Sequence, residues 1–538
     1  MSNTHFGMVG LGTMGRNFLL NVAQHGFGCV GYDLDAEKRR LLIEEGRGYP
    51  VDSAGSVAEF VKKLDTPRNI MLLVPAGPIV DSVITDLLPY LEKDDLLIDG
   101  GNSHFVDTER RELLLAEKGI EFLGVGVSGG EEGARHGASI MPGGKLEYYE
   151  RIAPILETVA AKVKGEPCVA YMGRSSAGHF VKMVHNGIEY GLMQILAETF
   201  DFMHRVLKMD YVQMSDTFAE WNGSELNSFL VEITAEVLRK TDAETGKPLV
   251  EMILDKAAQK GTGKWTSQAA MDLGVPIPTI DSAVSMRQIS AQKETRIFIA
   301  NNYGASGDVV HPQRSHGEPV SSERETGLKA ALAREALKTN VSEQQRKVIL
   351  DHEAANSSDG SHHVQNERDK AVREEFAEDL GSSLGRLKRA LLASFIITYA
   401  QGLSLLQTAS IEKNYGLDLA EIAKIWRGGC IIRSALLEEM RQAFSQNAEL
   451  PNLMCNDNFA EMLATNRDDW HWVVSRFSES RVPALCLSAS LSYFEAFRTA
   501  RLPANLIQAQ RDFFGAHTYQ RVDKEGIFHT PDWKETTV

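Results

Sequence analysis

The segment His179-Phe-Val-Lys-Met-Val-His-Asn-Gly-Ile-Glu-Tyr-Gly191 places Lys182, His185, Asn186 and Glu189 at i, i+3, i+4 and i+7. On an α-helix that spacing lines up all four on one stripe. Phe180, Val181, Val184 and Ile188 can then pack on the other side. An amine that can lose its proton and a carboxyl group that can deliver one are the two tools for moving protons around a carbonyl. A charge pair on a surface helix is the plainer reading of the same residues, so the rest of the chain must decide between them.

A second cluster opens the chain. Gly10-Leu11-Gly12-Thr13-Met14-Gly15 follows an apolar run and precedes an amphipathic one, the context in which G-x-G-x-x-G binds a dinucleotide. Gly10 allows the tight turn, Gly12 lets the backbone approach a pyrophosphate, and Gly15 lets helix and strand sit close. The helix N-terminus offers free N–H groups to the phosphates. Asp33 lies eighteen residues past Gly15, where an acid accepts hydrogen bonds from the adenosine ribose. Asp33 and Asp35 could instead cap the next helix, and Asp35 is expected to do so as well. A 2′-phosphate placed there meets two carboxylates and no arginine, which favours NAD over NADP.

The elements that must carry these groups follow from periodicity. Strand-like runs at 6–9, 29–32, 70–74, 96–99 and 122–125 alternate with helical patterns such as 17–24, 36–45 and 79–91. That rhythm implies a parallel sheet with helices on both faces. From about Ser176 helical patterns dominate, broken by Gly274-Val-Pro-Ile-Pro278. Residues 301–370 differ, being polar and holding five of the fifteen histidines (His311, His316, His352, His362, His363). They read as an inserted excursion with a helical stretch at 326–353. With no Cys partner or His-x-x-x-His pair, these histidines read as solvated loop residues, not metal ligands.

At 538 residues the chain exceeds one core, so two or three domains are expected. A net charge of −16 argues against nucleic acid as a partner and requires a local cationic cluster for any anionic substrate. Cys29, Cys168, Cys430, Cys455 and Cys486 are scattered and read as core thiols in a reducing compartment. The N-terminus leads straight into the first strand with no signal peptide pattern. The uncharged run 390–411 carries Ser394, Thr398, Gln401, Gly402, Ser404 and Gln407, so a buried helix is expected there, not a membrane span. The expected setting is cytoplasmic.

Further motifs give the chain a family likeness. They are Ile98-Asp-Gly-Gly-Asn-Ser103, Gly126-Val-Ser-Gly-Gly-Glu131, Met141-Pro-Gly-Gly144, Gln259-Lys-Gly-Thr-Gly-Lys-Trp265, Trp426-Arg-Gly-Gly-Cys-Ile-Ile-Arg433 and the run from Leu502 to His517. With the fingerprint and the Lys/Glu helix, the chain closely resembles the long-chain, decarboxylating 6-phosphogluconate dehydrogenases, over nearly its whole length apart from the excursion.

The resemblance implies a fold of class α/β plus all-α. A Rossmann doubly wound parallel sheet (1–177) would precede a large all-helical substrate and dimerisation domain (178–500, with the excursion at about 303–370). A C-terminal arm (501–538) would complete the partner subunit's active site. It implies metal-free oxidative decarboxylation of 6-phosphogluconate to ribulose 5-phosphate, a step of the pentose phosphate route and of gluconate use. Lys182 would be the general base and Glu189 the proton donor to C1 of the enediol. Ser128, Gly129 and Gly130 would cradle the carboxylate. Asn102, His185 and Asn186 would hold the hydroxyls, and Tyr190, Lys260, Thr262 and Arg287 the phosphate. Arg511 and His517 would come from the other subunit of an obligate homodimer. The cofactor would lie against residues 10–15, Asp33, Leu34, Asp35, Val74, Pro75, Ala76 and Asn102.

Lys260, Arg287 and Arg511 would supply the local positive charge and would help depress the Lys182 pKa. NADP-dependent members usually present Asn-Arg-Thr in place of Asp33-Leu34-Asp35 and a lysine in place of Pro75, so NAD is the expected cofactor and NADP the less favoured one. A shorter β-hydroxyacid dehydrogenase explains neither Lys260 nor the Arg511/His517 arm. A silent dinucleotide-binding scaffold does not explain an intact Lys182 and Glu189.

Overall fold

Short apolar runs become strands here because both faces of the sheet are covered. Phe6, Met8, Met71, Leu96, Ile98, Leu123 and Val125 enter one apolar cluster, while Val9, Ile70, Leu72, Leu97 and Phe122 enter another. A computed structural model describes residues 4–303 and 380–534. The polar excursion, with its helical stretch 326–353 and its histidines, therefore lies outside the described residues beyond its first few positions.

The strands are β1 (Phe6–Val9), β2 (Cys29–Tyr32), β3 (Val51–Ser53), β4 (Asn69–Leu72), β5 (Leu96–Asp99), β6 (Glu121–Ser128) and β7 (Ser139–Gly144). They form one sheet in the order β3-β2-β1-β4-β5-β6-β7. All neighbours are parallel except β6 and β7, which pair antiparallel. The expected parallel sheet thus gains an antiparallel edge strand. Its sequence, Ser-Ile-Met-Pro-Gly-Gly, has too many turn residues to read as a strand. The helices α1 (Thr13–Gln24), α2 (Ala36–Glu45), α3 (Val57–Lys62), α4 (Pro78–Leu87), α5 (Phe105–Ala116) and α6 (Gly130–His136) lie between these strands in sequence, and α7 (Leu146–Val159) follows β7. The chain order reverses between β1 and β4, the crevice where such sheets bind ligands beyond their C-terminal strand ends.

The remaining helices are α8 (Ala177–Arg205), α9 (Tyr211–Asn222), α10 (Phe229–Arg239), α11 (Leu249–Met252), α12 (Thr262–Asp272), α13 (Pro278–Ala291) and α14 (Lys293–Tyr303). They continue after the undescribed residues with α15 (Leu380–Glu412), α16 (Leu419–Trp426), α17 (Leu436–Gln446), α18 (Asp457–Glu479), α19 (Leu485–Arg498) and α20 (Ala504–Gly515). The uncharged run 390–411 lies inside α15, whose most apolar stretch is mostly covered by protein. Its polar side chains find partners there. Gln401 accepts from Thr279 N–H at 3.0 Å and donates to Thr279 Oγ1 at 2.8 Å. Ser404 Oγ accepts from Asn452 at 3.0 Å, and Ser394 Oγ meets Ser490 Oγ at 3.1 Å. Of the cysteines, Cys29, Cys168, Cys430 and Cys486 are buried, but Cys455 is exposed and is not the core thiol expected.

One buried cation ties the loops at the sheet's C-terminal edge together. Arg111, on α5, has a side chain only 1% exposed. Its Nε donates to Asp81 Oδ1 at 2.9 Å, Nη1 to Asp99 Oδ2 and Ser103 Oγ at 3.3 Å each, and Nη2 to Gly77 carbonyl oxygen at 2.9 Å and Asp81 Oδ2 at 3.2 Å. The loops after β4 and β5 are thereby held at one spacing. Asp99 is buried with it, so removing the guanidinium leaves that carboxylate without its cation. Arg111→Met should cost about 3–5 kcal/mol, read as a lowered urea midpoint, and an unchanged midpoint would contradict the assignment.

Candidate active site

Four strand ends converge on one crevice. After β1, Gly10 adopts a φ of 96°, and a Cβ there would lie 2.5 Å from Leu73 carbonyl oxygen. A Cβ on Gly15 would lie 1.9 Å from Gly10 carbonyl oxygen, so Gly15 lets α1 rest on the turn. A Cβ on Gly12 would meet nothing within 4 Å. Gly12 caps α1 with no side-chain bond, and the first turn carries no acid. The open face of this helix end is free to take a pyrophosphate, so the residues fit a dinucleotide.

At the end of β2, Asp33 turns inward. Leu11 N–H donates to its Oδ2 at 2.8 Å, and Asp35 N–H donates to its Oδ1 at 2.9 Å. Asp35 caps α2 as expected, accepting from Glu37 N–H at 2.9 Å. Leu34 is 88% exposed. The expectation of no arginine nearby needs correcting. Arg39 Nη1 donates to the carbonyls of Asp33 and Leu34 at 2.5 and 3.1 Å, and Lys38 Nζ lies 3.5 Å from Asp33 Oδ2. Both come from the first turns of α2, which folds back beneath the loop; a linear reading of residues 33–35 does not show that return. Val74 is half-buried, while Pro75, Ala76 and Asn102 are exposed along the same rim.

The Lys/Glu stripe lies on α8 and faces the sheet. Lys182 is 6% exposed. Its Nζ lies 3.4 Å from His185 Nδ1, which is 3.0 Å from Asn186 Oδ1. His185 Nε2 meets Ser128 Oγ, at the end of β6, at 3.2 Å. An amide oxygen at Nδ1 places the ring proton there, leaving Nε2 to accept from the serine. Trp426 meets the His185 ring edge-on at 5.7 Å between centroids. Gly129 has a φ of 122°, and a Cβ there would lie 2.6 Å from Gly429 carbonyl oxygen; Gly130 has a φ of 63° and open space beside it.

Burial pushes the Lys182 pKa down from 10.5, against the opposing pull of Glu189 and of the neighbouring Cys430. Within this chain desolvation is the depressing cause, and neither Lys260 nor Arg287 adds to it as expected. Burial pushes the Glu189 pKa up from 4.5, with Lys182 and Arg287 acting against it. Burial lowers His185 well below 6.5, and the Lys182 charge adds to that. The stripe therefore holds a base made weaker in its protonated form and an acid that retains its proton to a higher pH than usual.

The cationic side of the crevice is built on α12 and α13. The Arg287 guanidinium lies 3.4 Å from the centroid of the buried Tyr190 ring, and its Nη1 donates to Ala258 carbonyl oxygen at 3.0 Å. Arg287 is thus anchored to the stripe, unlike an ordinary surface arginine. Thr262 is buried at the start of α12, and Lys260 is exposed just before it. Thr266, which the sequence did not single out, hangs α12 on α8 by donating to Met183 carbonyl oxygen at 2.9 Å. His104, next to Asn102, packs against Trp265 at 4.8 Å between centroids, joining the β5 loop to α12.

Arg511 and His517 are exposed on the terminal arm. Among the described residues, the side-chain hydrogen bonds of residues 504–534 stay within the arm. Asp512 organises it, accepting from Thr518 N–H, His529 Nδ1, Thr530 N–H and Trp533 Nε1 at 2.9–3.0 Å. Leu506, Ile507, Phe513 and Phe514 stand exposed around Arg511. The structure thus brings Ser128, Lys182, His185, Asn186 and Glu189 together, with Tyr190 and Arg287 beside them. It leaves Arg511, whose Nη1 donates to Gln508 Oε1 at 3.0 Å within the arm, and the exposed His517 outside this cluster.

Known proteins match the chain over almost its whole length. The NAD binding domain of 6-phosphogluconate dehydrogenase matches residues 5–173, and the C-terminal domain of the same family matches 178–334 and 326–533. The chain is 44% identical over 533 residues to the NADP(+)-dependent, decarboxylating 6-phosphogluconate dehydrogenase of Bacillus subtilis, covering 99% of this chain and 100% of that protein. It is 42% identical to the decarboxylating 6-phosphogluconate dehydrogenase of Escherichia coli over 534 residues, covering 99% and 100%. The solved 6-phosphogluconate dehydrogenase of Plasmodium falciparum superposes with a TM-score of 0.83 at 37% identity, covering 98% of this chain and 100% of that one.

The burial of Lys182 has a consequence for stability. Its pKa is lower folded than unfolded, so the ammonium's desolvation cost is complete below the folded value and vanishes above 10.5, where both states are neutral. Lys182→Met should therefore raise the melting midpoint by a few degrees at neutral pH, with the gain shrinking towards pH 10.5. A gain that stays constant with pH would contradict the assignment.

Proposed function

The chain belongs to the 6-phosphogluconate dehydrogenase family, and from that premise we propose that it oxidatively decarboxylates 6-phospho-D-gluconate to D-ribulose 5-phosphate and CO₂. The observation that carries the reading is the buried Lys182, depressed in pKa, on the same helix face as the proton-retaining Glu189. Neutral Lys182 takes the C3 hydroxyl proton as hydride leaves C3. The dinucleotide, when bound, supplies the hydride acceptor. The C3 ketone then withdraws the electron pair of the C1–C2 bond as CO₂ departs, and protonated Lys182 hydrogen-bonds the developing enolate oxygen. Glu189 protonates C1 of the enediol. His185, fixed between Ser128 and Asn186, orients the sugar hydroxyls together with Asn102. Ser128, Gly129 and Gly130 receive the carboxylate, and Tyr190, Lys260, Thr262 and Arg287 receive the phosphate.

NAD is the preferred cofactor in this reading. Asp33 directs a carboxylate at the ribose position, Leu34 offers no cation, and Pro75 offers no amine. Lys38 partly neutralises Asp33, so the discrimination is a matter of degree. The Bacillus subtilis relative is named for NADP, which makes the ratio of kcat/KM values for the two dinucleotides the deciding number. NAD should exceed NADP, and parity would overturn the preference.

The three-part division at about 177 and 500 and an obligate homodimer complete the proposal. The arm's self-contained bonding and its exposed apolar side chains support its exchange into a second subunit, where Arg511 and His517 join the site. A reducing, cytoplasmic setting suits the unpaired thiols.

Incubation with 6-phosphogluconate and NAD should release NADH and CO₂ in equal amounts, and NADH without CO₂ would sink the reading. Lys182→Ala should lower kcat by about 10²–10⁴-fold. Subunit exchange between inactive Lys182→Ala and Arg511→Ala proteins should restore about a quarter of wild-type activity, because half of the dimers then hold one intact site. No recovery, with exchange verified, would exclude a shared site.

A further inference from the structure

The segment 255–261, which carries Lys260, has no regular secondary structure, and residues 255–260 are all exposed. An untethered loop of this kind must be ordered each time it presents a group to a ligand, and that ordering weakens binding. Here it is fastened at successive residues. Asp255 pairs through one carboxylate oxygen with Lys293 and through the other, at 2.9 Å, with Arg296. The Asp255 carbonyl also accepts from Arg296, at 3.1 Å. Lys256 Nζ lies 3.3 Å from Glu294 Oε1. Ala257 N–H donates to Ser290 Oγ at 3.0 Å, and the Ala258 carbonyl accepts from Arg287 at 3.0 Å.

These partners lie on α13 and α14, and Arg287 is also the residue stacked on Tyr190. The loop is therefore secured to the helix that supplies another phosphate-side cation. A single exposed ion pair contributes little, but one carboxylate shared by two cations beside further tethers at residues 256, 257 and 258 forms a network. The bonds from Lys293 and then from Arg296 hold the Asp255 carboxyl at about 2, so it stays ionised across the working range.

We infer that Asp255 is a positioning residue for the substrate phosphate, acting through Lys260 by fixing loop 255–261 against α13 and α14 before substrate arrives. The inference rests on the assignment of Lys260 to the phosphate. The dinucleotide crevice lies at the strand ends, so the loop should affect substrate and not cofactor.

The test compares Asp255→Ala, Lys260→Ala and the double variant in steady state, with melting curves to verify the fold. Asp255→Ala should raise the KM for 6-phosphogluconate by about 3–10-fold while kcat and the KM for NAD stay within about twofold. In the Lys260→Ala background the same change should add less than about twofold, because its effect passes through the missing side chain. A KM within twofold of wild type, an equal rise for NAD, or full multiplication in the double variant would each overturn the inference. If Lys260→Ala itself leaves the substrate KM unchanged, the phosphate assignment falls first and the role of Asp255 falls with it.

Discussion

Helix α8 meets the sheet backbone to backbone, and the site depends on that approach. A Cβ on Gly178 would lie 2.2 Å from Met141 carbonyl oxygen and 2.3 Å from that of Gly124, and a Cβ on Gly126 would lie 2.4 Å from Lys182 Cβ. Only glycines permit this spacing. It drives the Lys182 stem against β6 and takes its amine out of water, which shifts the lysine toward its neutral, basic form. No neighbouring cation is needed for the shift. The fold makes the base by packing, and the charged residues around it remain available to hold a ligand.

The same helix carries its polar groups in a graded way. Glu189 sits at the crevice with its carboxyl raised by burial. Nine residues on, Glu198 is buried and pushed up to about 7 by desolvation, although Cys486 and Leu487 N–H groups donate to it at 3.0 and 2.9 Å. Glu198 fastens the start of α19 to α8. Arg111 does the corresponding service on the dinucleotide side, where its donors hold the loops after β4 and β5. His104 against Trp265 and Thr266 on Met183 then tie the sheet and the helical layer across the crevice. In a protein of net charge −16, Arg287 is a cation anchored beside the stripe by Tyr190 and the Ala258 carbonyl.

Much of this was legible in the residue order, and the exceptions share a physical cause. The strands of the first third are continuous short apolar runs, and the G-x-G-x-x-G turn and the stripe on α8 depend on local spacing, which sequence displays. β7 was missed because Pro142 and its glycines belong to loops until a neighbouring strand pairs with them. Lys38 and Arg39 were missed at the ribose position because α2 returns them to Asp33 in space. The desolvation of Lys182 is not visible in the residue order because it depends on tertiary packing, whereas cations can be counted along a chain. Cys455 is exposed because it ends a short turn, a context its sparse spacing from the other thiols does not reveal.

The most direct test of the account is the protonation of the Lys182 amine itself in the folded protein. A ¹³Cε titration, with the resonance assigned by its loss in Lys182→Arg, reads this without turnover. The account predicts a midpoint clearly below 10.5, the value for a lysine in water. A midpoint at or above that value would mean that burial does not create the base, and the proposed chemistry would lose its first step.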